Sequence, residues 1–116
     1  MNKSILILLF LFVGIQQISY AQKPDIKDLY WDYIQVRMDT NEKTEAIEKA
    51  LVLLERKSEL TKTQLGNVNY HLGRLYEENG ETEKAIPYYE EAIKITPGYY
   101  VPYRALGFIN FKKCEK

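Results

Sequence analysis

The chain has 116 residues, 16 of them Lys or Arg and 16 Asp or Glu, with one histidine and one cysteine. Balanced charge gives no broad field for attracting nucleic acid or an anionic membrane, and a single thiol cannot form an internal disulfide. Stability must then come from packing or association, for which ten tyrosines supply broad amphipathic rings.

The first residues differ from all that follow. MNK is a short basic start, SILILLFLFVGI an apolar run, and QQISYA a polar approach with Ser19 and Ala21 at small-residue positions. This is the pattern of a secretory signal peptide over residues 1–21, with the mature chain starting at Gln22. The apolar run Ile5 to Ile15 falls short of the roughly 20 residues of a spanning helix, and Gln22 offers no cysteine for lipid attachment. Removing 21 of 116 residues leaves 95, the size of one small domain, with 15 basic and 16 acidic side chains, because the segment holds one lysine and no acid. The expected location is periplasmic or secreted.

From there the chain has helical periodicity almost throughout and no convincing period-two strand. Ile26, Leu29, Tyr30, Tyr33 and Ile34 share one helical face, and Ala46, Ile47, Ala50, Leu51 and Leu54 share another. The polar DTNEK between them is a turn, so residues 22–65 hold an antiparallel hairpin and a linker. Thr61 and Gln64 fit a capping box and Leu60 and Leu65 a hydrophobic staple, so a third helix starts near Lys62. Gly80 suits its left-handed end, Thr82 is the expected cap of a fourth helix running to about Ile95, and Pro97 stops that helix. Gly73, inside the third helix, costs about 1 kcal/mol against alanine and so needs a packing reason.

Asn69, Leu72, Gly73 and Tyr76, followed by Ala85, Tyr89, Ala92 and Pro97, resemble the signature of the tetratricopeptide repeat. Asn69 stands where tryptophan is usual and Tyr89 where phenylalanine is usual. The resemblance implies one 34-residue repeat over 66–99, with small Gly73 and Ala85 letting paired helices approach. It places Tyr103, Leu106 and Gly107 at 34 residues after Asn69, Leu72 and Gly73, so residues 100–116 read as the first helix of a further repeat or a terminal helix. Upstream, Ala46 lies 39 residues before Ala85, five more than the repeat length, which makes the first hairpin a degenerate repeat with a longer connection. The fold class is all-α, antiparallel hairpins stacked as a short solenoid.

Such stacks present a concave surface lined by the first helix of each hairpin. The resemblance maps groove positions onto Asn67, Tyr70, Arg74 and Glu77, and onto Arg104 and Phe108 in the next unit. Two arginines, an acid, an amide and aromatic rings suit an extended peptide or a protein surface. The family's carboxylate-clamping subclass uses lysines and asparagines here, a pattern that Tyr70, Val101 and Ala105 do not supply. The plainer reading packs Tyr70 and Phe108 against neighbours and solvates the arginines.

Catalysis has little support. His71, expected as a lone exposed side chain, has no second metal ligand in sight, and the pairs Glu77/Glu78 and Glu90/Glu91 point in different directions on a helix. No phosphate loop, nucleophile elbow or zinc motif occurs. No cofactor and no nucleic acid is implied, and any membrane contact is confined to the leader during export. The stretch Tyr103, Leu106, Phe108, Ile109 and Phe111 makes the last helix apolar on several sides, so a cover is expected: a second copy, another protein, or further residues of a longer repeat protein. The sequence therefore points to a non-catalytic protein-binding module. The alternative is an assembly subunit that self-associates through its repeat ends, or a fragment of a longer repeat protein.

Overall fold

The computed structural model describes residues 23–39 and 41–115, and these hold five α-helices and no strand. In chain order they are α1 (Ile26–Met38), α2 (Lys43–Glu55), α3 (Lys62–Glu78), α4 (Thr82–Ile95) and α5 (Tyr100–Cys114), with a 3-10 turn at Lys57–Glu59. The segment 1–21, read above as a signal peptide, lies outside the described residues. None of the described helices is long and apolar enough to cross a membrane.

Local chemistry sets three of the helix ends directly, the starts of α1 and α3 and the end of α3. Asp25 accepts from the Lys27 N–H at 2.8 Å and starts α1. Thr61 Oγ1 accepts from the Gln64 N–H at 3.1 Å, while Gln64 Oε1 accepts from the Thr61 N–H at 2.9 Å, closing the capping box in front of α3. At the other end Gly80 takes φ +80°, its N–H donates to the Glu77 carbonyl, and the Glu81 N–H donates to that of Tyr76. These two bonds make a Schellman turn, which requires the left-handed residue that glycine supplies without strain.

The expectation for Thr82 needs correcting. Thr82 is the first residue of α4, the capping position falls to Glu81, and no side chain caps the helix. The Schellman turn uses the Glu81 N–H and carries the chain directly into the next helix, leaving no extended residue at 82. The Glu81 carboxylate instead accepts from Lys84 and Asn79, which hold it below the usual carboxylate range. Helix α4 also contains Pro87, on an exposed position, and tolerates it there.

Each helix packs against its neighbours in sequence, with the α3–α4 pair the most extensive. One core joins α1, α2 and α3 through Tyr33, Ala50, Leu53, Val68 and Leu72; a second joins α3, α4 and α5 through Tyr70, Ala85, Tyr89, Ala92 and Ile109. Helix α3 is therefore the shared wall, and this chain of hairpins is the nearest-neighbour logic of a solenoid. Leu53, outside the face read for α2, is fully buried, whereas Leu51 and Leu54 are only partly covered.

Two glycines hold α3 against α4. A Cβ on Gly73 would lie 2.6 Å from Tyr89 Cε1, and one on Gly66 would collide with Thr96 Oγ1. The Tyr89 ring thus fills the space that glycine leaves, and its hydroxyl donates to Glu77 Oε1 at 2.6 Å. Asn69, buried at the usual tryptophan position, satisfies its amide by donating to the Leu65 carbonyl at 2.9 Å.

Candidate functional site

The antiparallel hairpins leave α1, α3 and α5 as the first helices of successive pairs. Between α3 and α5 lies a groove of about 720 Å³, lined by Tyr70, Arg74, Glu77 and Glu78 from α3 and by Val101, Arg104, Ala105 and Phe108 from α5. Positions 70, 74 and 77 recur at helical spacing, as do 101, 104, 105 and 108, so one stripe of each helix faces the groove. Five of the six residues named from sequence are brought together there. Asn67 is not among them; one turn earlier, its carbonyl accepts from His71 Nδ1 at 2.7 Å.

The five differ in what they can do. Tyr70 is 8% exposed and packs edge-on against Tyr99 and His71 and tilted against Tyr89, so it supports the groove from beneath. Arg74 donates to Glu78 Oε1 at 2.9 Å, a bond that holds its guanidinium above the ordinary arginine range. Glu77 is occupied by the Tyr89 hydroxyl. Arg104 makes no ion pair among the described residues, and Phe108 is 55% exposed with Lys112 Nζ 4.8 Å from its ring centroid. A ligand would therefore meet an available guanidinium and an available ring on α5, and a paired, pre-positioned arginine on α3.

A second depression, about 270 Å³, continues across the other flank of α3, lined by Arg37, Met38, Tyr70, His71, Arg74, Leu75 and Glu78. The two share Tyr70, Arg74 and Glu78, so they form one track over α1, α3 and α5. Met38, 74% exposed, stands at its far end. Arg37 and Met38 were missed in the sequence because the first hairpin carries no clear signature. The 39-residue offset between Ala46 and Ala85 would have found Met38, since 77 − 39 = 38.

His71, expected above as a lone exposed side chain, is half-buried and tied down on both nitrogens. A carbonyl only accepts, so Nδ1 carries the proton given to Asn67; a guanidinium only donates, so Nε2 accepts from Arg37 Nη1. Burial, and then the Arg37 charge, pull its pKa down to about 4. The histidine is a neutral strut between α1 and α3. Among the described residues no group of three or more His, Cys, Asp or Glu side chains could hold a metal.

The helix pair α3–α4, with Gly73 against Tyr89, is the arrangement the sequence signature requires. Residues 66–99 match the family model of the tetratricopeptide repeat. No curated protein and no solved structure matches the chain. The repeat covers 34 of 116 residues, counted from 66 through 99. Tetratricopeptide repeats serve protein–protein interaction and are generally non-catalytic, and the concave side of a helical solenoid is its extended binding surface.

Proposed function

We propose that the chain is an exported, non-catalytic binding protein that holds an extended segment of another protein in the groove between α3 and α5. The observation that carries this reading is the pairing of Arg104 and Phe108 on one wall of a groove about 720 Å³ in volume, neither of them consumed by the described fold. Arginine is enriched at binding hot spots and phenylalanine at protein interfaces. Tyr70, Arg74 and Glu77 shape and charge the opposite wall, and Met38 offers an apolar contact where the track reaches α1. The segment it fits carries an acidic side chain near an apolar one, the acid meeting Arg104 and the apolar group meeting Phe108.

Export rests on the leader pattern of residues 1–21, which would deliver the domain to the periplasm or the exterior. The test is affinity capture of the tagged protein from its own cells, followed by direct binding of each recovered partner. Arg104→Glu with Phe108→Ala should weaken a groove-bound partner at least tenfold, with helical content unchanged, because both side chains are exposed. Undiminished binding by that variant would remove the groove reading.

A further inference from the structure

The depression on the α1 side of α3 holds a cation that the described residues do not neutralise. Arg37 lines it and is part-buried, its Nε shielded from solvent and without a hydrogen-bond partner among the described residues. Its Nη1 donates to His71 Nε2, a neutral acceptor, and its guanidinium carbon lies 5.9 Å from the centroid of the Tyr33 ring. Arg74, the other arginine of the depression, has its acid in Glu78; Arg37 makes no ion pair among the described residues. A guanidinium taken partly out of water is costly to leave without an anion, and its fork of donors suits a carboxylate. The strut to His71 supplies an acceptor and no charge.

We propose that this depression takes an acidic side chain of the same extended segment that the α3–α5 groove holds, so that the partner carries two acids, one on Arg37 and one on Arg104. The inference rests on the groove reading, because the two depressions share Tyr70, Arg74 and Glu78 and run as one track. Charge along the track selects the occupant. Glu78 is taken by Arg74 and Glu77 by the Tyr89 hydroxyl, so neither neutralises Arg37 or Arg104. Each end of the track then presents the same pair: a guanidinium without an acid, and an exposed apolar side chain, Met38 on α1 and Phe108 on α5. A basic segment would meet like charge at both ends, and a neutral one would leave both cations uncompensated.

The same layout sets the spacing of the two acids. Helices α1 and α5 stand on either side of α3, so the ends are two helix spacings apart, roughly 16–20 Å at about 8–10 Å each. About five or six residues of extended chain cover that distance.

The test uses the protein in the form that cells accumulate, without a histidine tag, and acetylated, amidated peptides as probes, so that no terminal carboxylate contributes. Each probe carries a Phe–Glu pair and a second Glu, set off by a glycine–serine spacer of variable length on either side; its control has Gln at that second position. Fluorescence anisotropy should find a spacing of about five or six residues at which the second Glu tightens binding about tenfold, the scale of one hydrogen bond to a charged group. Arg37→Gln keeps a donor for His71 Nε2 and should bring the doubly acidic probe down to the affinity of its control, with circular dichroism unchanged. Arg104→Glu with Phe108→Ala should weaken probe and control alike, which separates the depression from the groove.

His71 is the only histidine of the chain, so its imidazole signal in NMR reports on the wild-type depression whether or not the Arg37 variant folds. It should move with the doubly acidic probe and stay in place with the control. A second Glu that adds nothing at any spacing, a gain that survives Arg37→Gln, or an unmoved His71 signal would each overturn the proposal. Failure of the groove reading shows differently, as control binding indifferent to Arg104→Glu with Phe108→Ala.

Discussion

Gly73 and Gly107 are the same residue type in the same repeat register, and their surroundings give them opposite thermodynamic signs. At Gly73 the buried Tyr89 ring lies where a side chain would begin, so Gly73→Leu should destabilise the fold by about 1–3 kcal/mol through overpacking. Gly107→Ala meets nothing and should stabilise the monomer by up to about 1 kcal/mol through helix propensity. Chemical denaturation of the two variants at low protein concentration checks both signs. The need for packing at Gly73 could be read from sequence because a glycine inside a strong helix pattern weakens the helix unless a neighbour fills its space. The vacancy at Gly107 could not, since the pattern is identical and only the three-dimensional neighbours differ.

His71 gives a second prediction at this scale. Its pKa is about 4 in the folded chain against 6.5 for an unperturbed histidine, and the groups facing it are Arg37, Arg74 and the Asn67 carbonyl. Above pH 6.5 both states are neutral there and stability is independent of this group. Between pH 6.5 and about 4 the unfolded chain binds a proton that the folded chain refuses, so stability falls as pH falls, by on the order of 3 kcal/mol in total. Urea unfolding of wild type and His71→Gln across that range should show the shallower decline in the variant. Equal slopes would mean that His71 is not the neutral strut described. The sequence placed this side chain in the open because Arg37 is 34 residues away, on a helix whose repeat signature is degraded.

At the scale of elements, helix boundaries were legible wherever a side chain or a glycine sets them. The Thr61–Gln64 box and Gly80 are written in residue types with one dominant use, and both occur as read. Thr61→Ala should cost about 1 kcal/mol by removing half of that box, measurable as a lower melting temperature. Thr82 misled because threonine is also common just inside a helix, and the Schellman turn had already settled the junction. Pro87 has no N–H to give the Glu83 carbonyl four residues earlier, so α4 runs one bond short. Pro87→Ala should therefore raise stability by roughly 1 kcal/mol, the restored bond and propensity outweighing the added freedom of the unfolded chain. A drop in stability would show that the ring's own contacts matter more than the missing bond.

At the scale of the whole molecule, the described residues form a row of hairpins in which α3 serves two cores and walls two depressions. The all-α class and the groove stripe on α3 and α5 were legible because a 34-residue register fixes which helical face turns inward. The continuation over α1 was not, because five extra residues between the hairpins break that register and Arg37 and Met38 carry no signature of their own. The central claim is that the α3–α5 groove holds a partner. The most direct measurement is site-specific photocrosslinking in the native cells, with the photoreactive residue at Phe108 in the groove and, as a control, at Glu91 on the exposed side of α4. A discrete adduct with another protein at Phe108, missing at Glu91 and lost on Arg104→Glu, is the result expected. Adducts of equal yield at both positions, or none at Phe108 while Glu91 gives one, would contradict it.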